Sequence, residues 1–216
     1  MKIDLNQRDW DKIMNIAEVR ARNFEVIGMY SYFLTNHAGL ITKELIEPLL
    51  NCEGLSEEYA FFGLLAAACG LDLEHKQRDL QIARDYFIPS IRKLEPRAYQ
   101  ENPYYDKIKI PKQKLADWEF KTEYYQPYEA FVYNDIIVEQ NFREIPRLGF
   151  FKELFPFPAV LQGEQEWMTI TPNEIETMQP VIDAAKGKVI TFGLGLGYFP
   201  YMISEKLEVT SVTVVE

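Results

Sequence analysis

Two cysteines and two histidines among 216 residues leave little from which to build a disulfide framework or a histidine-based metal site. Cys52 and Cys69 lie in apolar, helix-like surroundings and read as reduced, buried thiols of a cytoplasmic protein. His37 and His75 stand alone, so no metal ligand set is expected. Cations are scarce as well: Lys and Arg number 23 against 33 Asp and Glu, for a net charge of −10 and an isoelectric point near 4.9. A surface for nucleic acid or anionic lipid needs clustered cations to neutralise phosphates, so this balance argues against both. The longest apolar run, residues 60–71, is twelve residues long, whereas a membrane-spanning helix takes about 20. The opening MKIDLNQRDW has no apolar core of the signal-peptide kind.

Apolar side chains are what the chain has in quantity. Hydrophobic residues make up 47% and aromatics 14%, enough for a sizeable packed core, so the chain is globular and not disordered. Trp10, Ile13, Met14, Ala17, Ala21 and Phe24 recur at helical spacing behind Asn6 or Asp9 as a cap. Ile41, Leu45, Ile46 and Leu49 mark a second helix that Pro48 should kink or end. Ser56 opens a third helix and Gly70 closes it, and Asp72 is placed to cap a fourth whose stripe is broken by Pro89. Residues 1–95 are therefore expected to form a helical module.

Residues 96–128 lose that periodicity and crowd eight aromatic rings between Tyr99 and Tyr128. Rings interleaved with lysines can stack on single-stranded nucleic acid. Between Tyr104 and Tyr125, however, five lysines face four carboxylates, so no cationic groove is visible and a connector pinned by its rings is the better expectation. From Glu129 the period shortens. AFVYNDIIVEQNF reads as a hairpin turning at Asn134 and Asp135, and residues 159–161 and 166–170 read as a second hairpin about Gly163. Residues 129–170 are thus expected to form a small antiparallel β layer. Next comes Thr171-Pro172-Asn173-Glu174, which has the spacing of a capping box at the start of a helix reaching about Ala185.

The last segment, 171–216, carries the clearest chemical signal. Residues 188–192, KVITF, have the β-branched density of a strand buried on both faces. Gly193, Gly195 and Gly197 follow at once, then a short helical stretch and a second β-branched run ending in Glu216, 19 residues after Gly197. Glycines in that place let the backbone turn sharply and approach a ligand, and an acid at the end of the next strand can reach over the turn to a ribose. Nicotinamide and flavin folds use GxGxxG, but here the third position is Tyr198 or Pro200 and the spacing is GxGxG.

Over about residues 167–216 this arrangement resembles motif I of the class I S-adenosylmethionine-dependent methyltransferases. The fold implied is α+β: a helical N-terminal module, an antiparallel β-hairpin layer and an incomplete Rossmann-like βαβ unit. The resemblance implies S-adenosylmethionine as cofactor, held by the glycine turn and the acid, with Thr191, Phe192, Gly193, Leu194, Gly195, Gly197 and Glu216 as its contacts. Thr191 stands where many members carry Asp or Glu. It further implies that the chain holds the first third of a catalytic domain and a partial cofactor site, without the later loops that position an acceptor, so no catalytic residue is assigned.

Asn102-Pro103-Tyr104-Tyr105 resembles the NPPY-type motif of amino-methylating enzymes, but no apolar run precedes it and tyrosine replaces its second proline, which favours a simple turn. Two other readings remain open. Aminopropyl transfer, as in the polyamine synthases, would suit the acidic balance, although Leu196 stands where those enzymes carry an acid in the loop. A non-catalytic assembly module would use the N-terminal helices or the exposed C-terminal strands to form a homo-oligomer.

Overall fold

A computed structural model of the chain describes residues 6–216. The fold is α+β and divides into two compact units, one taking the chain up to Lys93 together with Tyr128–Phe150, the other Leu94–Pro127 with Phe151–Glu216.

The first unit begins with α1 (Gln7–His37), capped by the Asn6 side chain, which accepts from the Asp9 N–H. α2 (Lys43–Glu53) and α3 (Glu57–Ala68) follow, then α4 (Gln77–Ile82), a π-helical turn at Ala83–Phe87, α5 (Ile88–Ser90) and the short strand β1 (Ile91–Lys93). The expected apolar stripe of α1 is not the buried one. Trp10, Ile13, Met14 and Phe24 are exposed, and the residues facing the core are Asn23, Val26, Tyr30 and Phe33. Asn23 can be buried because its amide is hydrogen-bonded at both ends: it donates to the Phe142 carbonyl (2.9 Å) and accepts from the Tyr86 hydroxyl (2.9 Å) and the Glu144 N–H (3.2 Å).

Pro48 neither ends nor splits α2, which runs on through Glu53 to a left-handed Gly54. Asp72 accepts from the N–H groups of Glu74 and His75 and so caps a turn, leaving α4 to begin later, after Lys76. The thiols also differ from expectation. Cys52 is exposed at the end of α2, while Cys69 is partly buried and its thiol is pushed up to about 11 by desolvation.

In the second unit, residues read from sequence as an irregular connector contain two short helices, α6 (Pro96–Gln100) and α7 (Pro103–Lys107), and two strands, β2 (Gln113–Leu115) and β3 (Trp118–Tyr125). The aromatic rings that hid a two-residue period pack in pairs instead; Tyr125 lies 4.7 Å from Phe157 on the neighbouring strand.

The chain then returns to the first unit with β4 (Phe131–Val138) and β5 (Glu144–Phe150), giving a three-stranded sheet in the order β1-β5-β4, with β1 parallel to β5. Asn134 and Asp135 do not turn it. They lie inside β4, where the Asn134 side chain accepts from the Asp135 N–H at an irregularity in the ladder. The reversal comes at residues 139–143, held by the Glu139 N–H donating to the Arg143 carbonyl and by Asn141 accepting from the Arg143 N–H.

β6 (Phe155–Gln162) and β7 (Gln165–Thr169) form the expected hairpin at a left-handed Gly163 and complete the sheet β2-β3-β6-β7. β7 pairs only from Ala159 onward, so Pro156 and Pro158 occupy a stretch of β6 with a strand on one side only. Last come α8 (Pro172–Ala184), β8 (Gly187–Phe192), α9 (Tyr198–Ser204) and β9 (Val209–Val215), with β8 and β9 a parallel pair. β8 was expected to be buried on both faces, yet Ile190 is 64% and Phe192 82% exposed. Its burial alternates, with Gly187, Val189 and Thr191 partly covered and Lys188, Ile190 and Phe192 exposed, so one face of the two-stranded pair is open.

Candidate cofactor-binding site

The parallel register brings Phe192 opposite Val215, so β8 and β9 end level with each other. The Gly193 N–H donates to the Val215 carbonyl at 2.8 Å, carrying the ladder one residue past β8. Leu194 then turns its N–H to the Glu216 carboxylate, which accepts it through Oε1 in a short contact. The acid expected to reach over the turn is therefore in place at it.

Gly193, Gly195 and Gly197 have φ of 81°, 56° and 81°, the left-handed region that side chains rarely adopt. Space is a weaker constraint. A Cβ on Gly195 would lie 3.6 Å from Met168 Sδ, an ordinary contact, and none would meet a neighbour on Gly193. Gly197 closes the turn by donating to the Leu194 carbonyl at 2.9 Å and precedes α9, which is only seven residues long, so its dipole adds little.

These elements border an open cavity of about 890 Å³, within the roughly 300–1,000 Å³ of small-ligand sites. One wall is β7 with Trp167 and Met168. The second is α8, where Glu174, Met178 and Val181 follow one another at i, i+4 and i+7 and so share a face. The third is the end of β8 and the turn, with Thr191, Phe192, Leu194 and Gly195; Tyr198 and Phe199 close the far side. Five of the seven sequence-assigned contacts, Thr191, Phe192, Gly193, Leu194 and Gly195, thus line one cavity, while Gly197 closes the turn beside it and Glu216 anchors that turn.

Glu174 is a site residue that sequence reading placed elsewhere. The capping box does not form: Thr171 is buried and makes no cap hydrogen bond with its side chain. Glu174 is left facing the cavity, half-buried and without an ion pair among the described residues, and burial raises its carboxyl above the ordinary carboxylate range. Among the described residues the lining contains a second carboxylate, Glu166, and no lysine, arginine or histidine.

The segment 102–105 braces the turn from behind. The Tyr104 hydroxyl donates to the Leu196 carbonyl at 2.6 Å and the Asn102 amide donates to the Tyr198 hydroxyl at 3.0 Å. Tyr105 donates to the Ile170 carbonyl at 2.8 Å, and the Tyr104 and Tyr198 rings meet edge to face at 5.4 Å. Asn102 Oδ1, the atom that would receive an amine in an NPPY-type motif, accepts from the Tyr104 N–H at 3.0 Å and caps α7. The segment caps a short helix and braces the turn. Burial pushes the Tyr104 hydroxyl up to about 12 and moves those of Tyr105 and Tyr198 in the same direction, so all three stay protonated. An asparagine before proline with helix-favouring residues after it is an N-cap signal, and it was the one cue in the sequence to this element.

Among the described residues no helix is long and apolar enough to cross a membrane, and no group of three or more His, Cys, Asp or Glu could hold a metal ion. No protein-family model, curated protein or solved structure matches the chain.

Proposed function

We propose that this chain carries the cofactor-binding face of an S-adenosylmethionine-dependent methyltransferase. The observation that supports this reading is the convergence of Glu216 on the Leu194 N–H at the open end of the glycine turn. That contact fixes one carboxylate oxygen and leaves the other to accept from a pair of adjacent hydroxyls such as those of a ribose. The cofactor, when bound, supplies a methyl group activated by the sulfonium it sits on. The chain supplies part of the site: Gly193, Leu194 and Gly195 let a ligand approach the backbone, Thr191 and Phe192 border its other edge, and Trp167 with Met168 form an apolar wall. Positioning is the main task in such a transfer, since the methyl carbon must lie in line with its acceptor.

Calorimetric titration with S-adenosylhomocysteine tests the reading. The wild-type chain is expected to bind saturably, and Glu216→Gln to bind about tenfold or more weakly, as loss of charged hydrogen bonds of about 1.5–3 kcal/mol requires. No saturable binding to the wild-type chain overturns the reading, and unchanged affinity in Glu216→Gln overturns the role of the acid.

A further inference from the structure

Helix α1 meets the core of the first unit only from Asn23 onward, and no residue from Gln7 to Arg22 is buried. A helical stretch of that length in water draws most of its stability from an apolar face that packs on something. Such a face is present. Trp10, Met14, Ala17, Ala21, Phe24 and Gly28 recur at alternating steps of four and three residues, the spacing of a coiled-coil seam, and all of them are exposed. The core-facing Asn23, Val26 and Tyr30 each follow a member of that row by two positions, a rotation of about 200°, so the seam points away from the core. Ile13 and Tyr32 flank it and are exposed as well.

Charge and area both point to another α1 as the partner. With Ala17 and Phe24 at d and Met14 and Ala21 at a, Arg20 is a g residue and Glu25 the e residue of the next heptad. A parallel pair sets g of one helix against that e of the other, so Arg20 of each copy meets Glu25 of the second copy. Glu25 accepts from Arg78 at 2.5 Å through Oε2, which leaves Oε1 for this contact. An antiparallel pair with the alanines together would set Arg20 against Arg20 and Glu18 against Glu18, so charge selects the parallel arrangement. Trp10, Ile13, Met14, Phe24 and Tyr32 are 44–70% exposed, and at about 200 Å² for side chains of this size they offer roughly 550 Å² per copy. Ala17, Ala21 and the flanking charged side chains add to that, against about 800 Å² per partner in a standard interface.

We propose that the outward face of α1 is a dimerisation seam on which the α1 of a second copy of this chain lies parallel, with the small Ala17 and Ala21 letting the two backbones approach and Arg20–Glu25 pairs fixing the direction. The seam belongs to the first unit and is independent of the cofactor reading.

Sedimentation equilibrium of the full chain over about 1–100 μM tests it. Wild type is expected to dimerise with rising concentration, and Ala21→Glu and Phe24→Glu to remain monomeric while each keeps a cooperative urea transition, since both positions are exposed. A wild type that stays monomeric throughout overturns the seam, as does a dimer that survives both substitutions. Arg20→Glu is expected to weaken the dimer about tenfold, and unchanged association overturns the part given to Arg20. Direction is read by cross-linking in a Cys52→Ser background. Ala17→Cys is expected to form a disulfide with itself on mild oxidation, because a parallel seam sets position 17 against position 17 within disulfide reach. Cross-linking only in a mixture of Ala17→Cys and Ala21→Cys chains overturns the parallel arrangement.

Discussion

Glu174 occupies the third position of α8, where the positive helix end favours a charged carboxylate, yet its pKa moves upward. Desolvation by the cavity wall therefore outweighs the helix end, whose contribution is typically about 0.3–1 kcal/mol. The sign has a consequence for stability. Below the unfolded-state pKa the carboxyl is protonated in both states and costs nothing; as pH rises through the raised folded-state value, ionisation weakens the folded state. A glutamine at this position never ionises. Urea midpoints should accordingly place Glu174→Gln above wild type at pH 7, with the gap closing by about pH 4; the same gap at both values would contradict the assignment of a desolvated carboxylate. Spacing alone could not reveal this residue. Thr171-Pro172-Asn173-Glu174 fits a capping box, but Thr171 is buried and its side chain makes no cap hydrogen bond. Asn23 was equally hidden, because a polar residue on a core face is read as a surface position until its three partners, all distant in sequence, are known.

At the scale of elements, the glycine turn is held by backbone conformation more than by space. Alanine at Gly193 or Gly195 must adopt a left-handed φ of 81° or 56°, a cost of about 1–2 kcal/mol. Gly193→Ala meets no neighbour within 4 Å. Each single alanine variant should therefore lower chemical stability by about 1–2 kcal/mol while the fold is retained. A loss below about 0.5 kcal/mol in denaturant unfolding would show that the turn does not hold this conformation.

Elements with a strong local signal were legible in the sequence. The glycine turn between two β-branched runs, the α8 helix after Thr171 and the β6–β7 hairpin at Gly163 lie where their residues place them. Elements set by distant partners were not. The apolar stripe from Trp10 to Phe24 has the spacing of a core face, but burial in α1 begins at Asn23, where β5 and its preceding turn meet the helix. Asn134 and Asp135 are strong turn formers, and β4 absorbs them as an irregularity because β5 pairs on both sides of them. In strand β3 Trp118, Phe120 and Tyr124 alternate with Glu119, Lys121 and Glu123, a two-residue period hidden among the crowded rings, and burial does not follow it: all are half-buried except exposed Tyr124.

For the molecule as a whole, the two compact units divide the chemistry unequally. The principal buried apolar cluster, from Val26 through Phe61 and Leu65 to Leu148 and Phe150, belongs to the first unit. The glycine turn, Glu216, Glu174 and the bracing tyrosines all belong to the second, which is assembled from segments on either side of the β4–β5 pair. That arrangement explains why residues 96–128 looked featureless: α7 acquires its role only when the chain returns some 90 residues later and lays Leu196 and Tyr198 against it, as the contacts across |i−j| of 92 and 96 record.

The most direct test of the cofactor site follows backbone amide resonances during titration with S-adenosylhomocysteine. Saturable shifts are expected at Thr191, Gly193, Leu194 and Gly195, largest at the Leu194 N–H bonded to Glu216, with the Asn23 cluster of the first unit unmoved. Absence of saturable shifts at Leu194, or shifts confined to the first unit, would contradict the account.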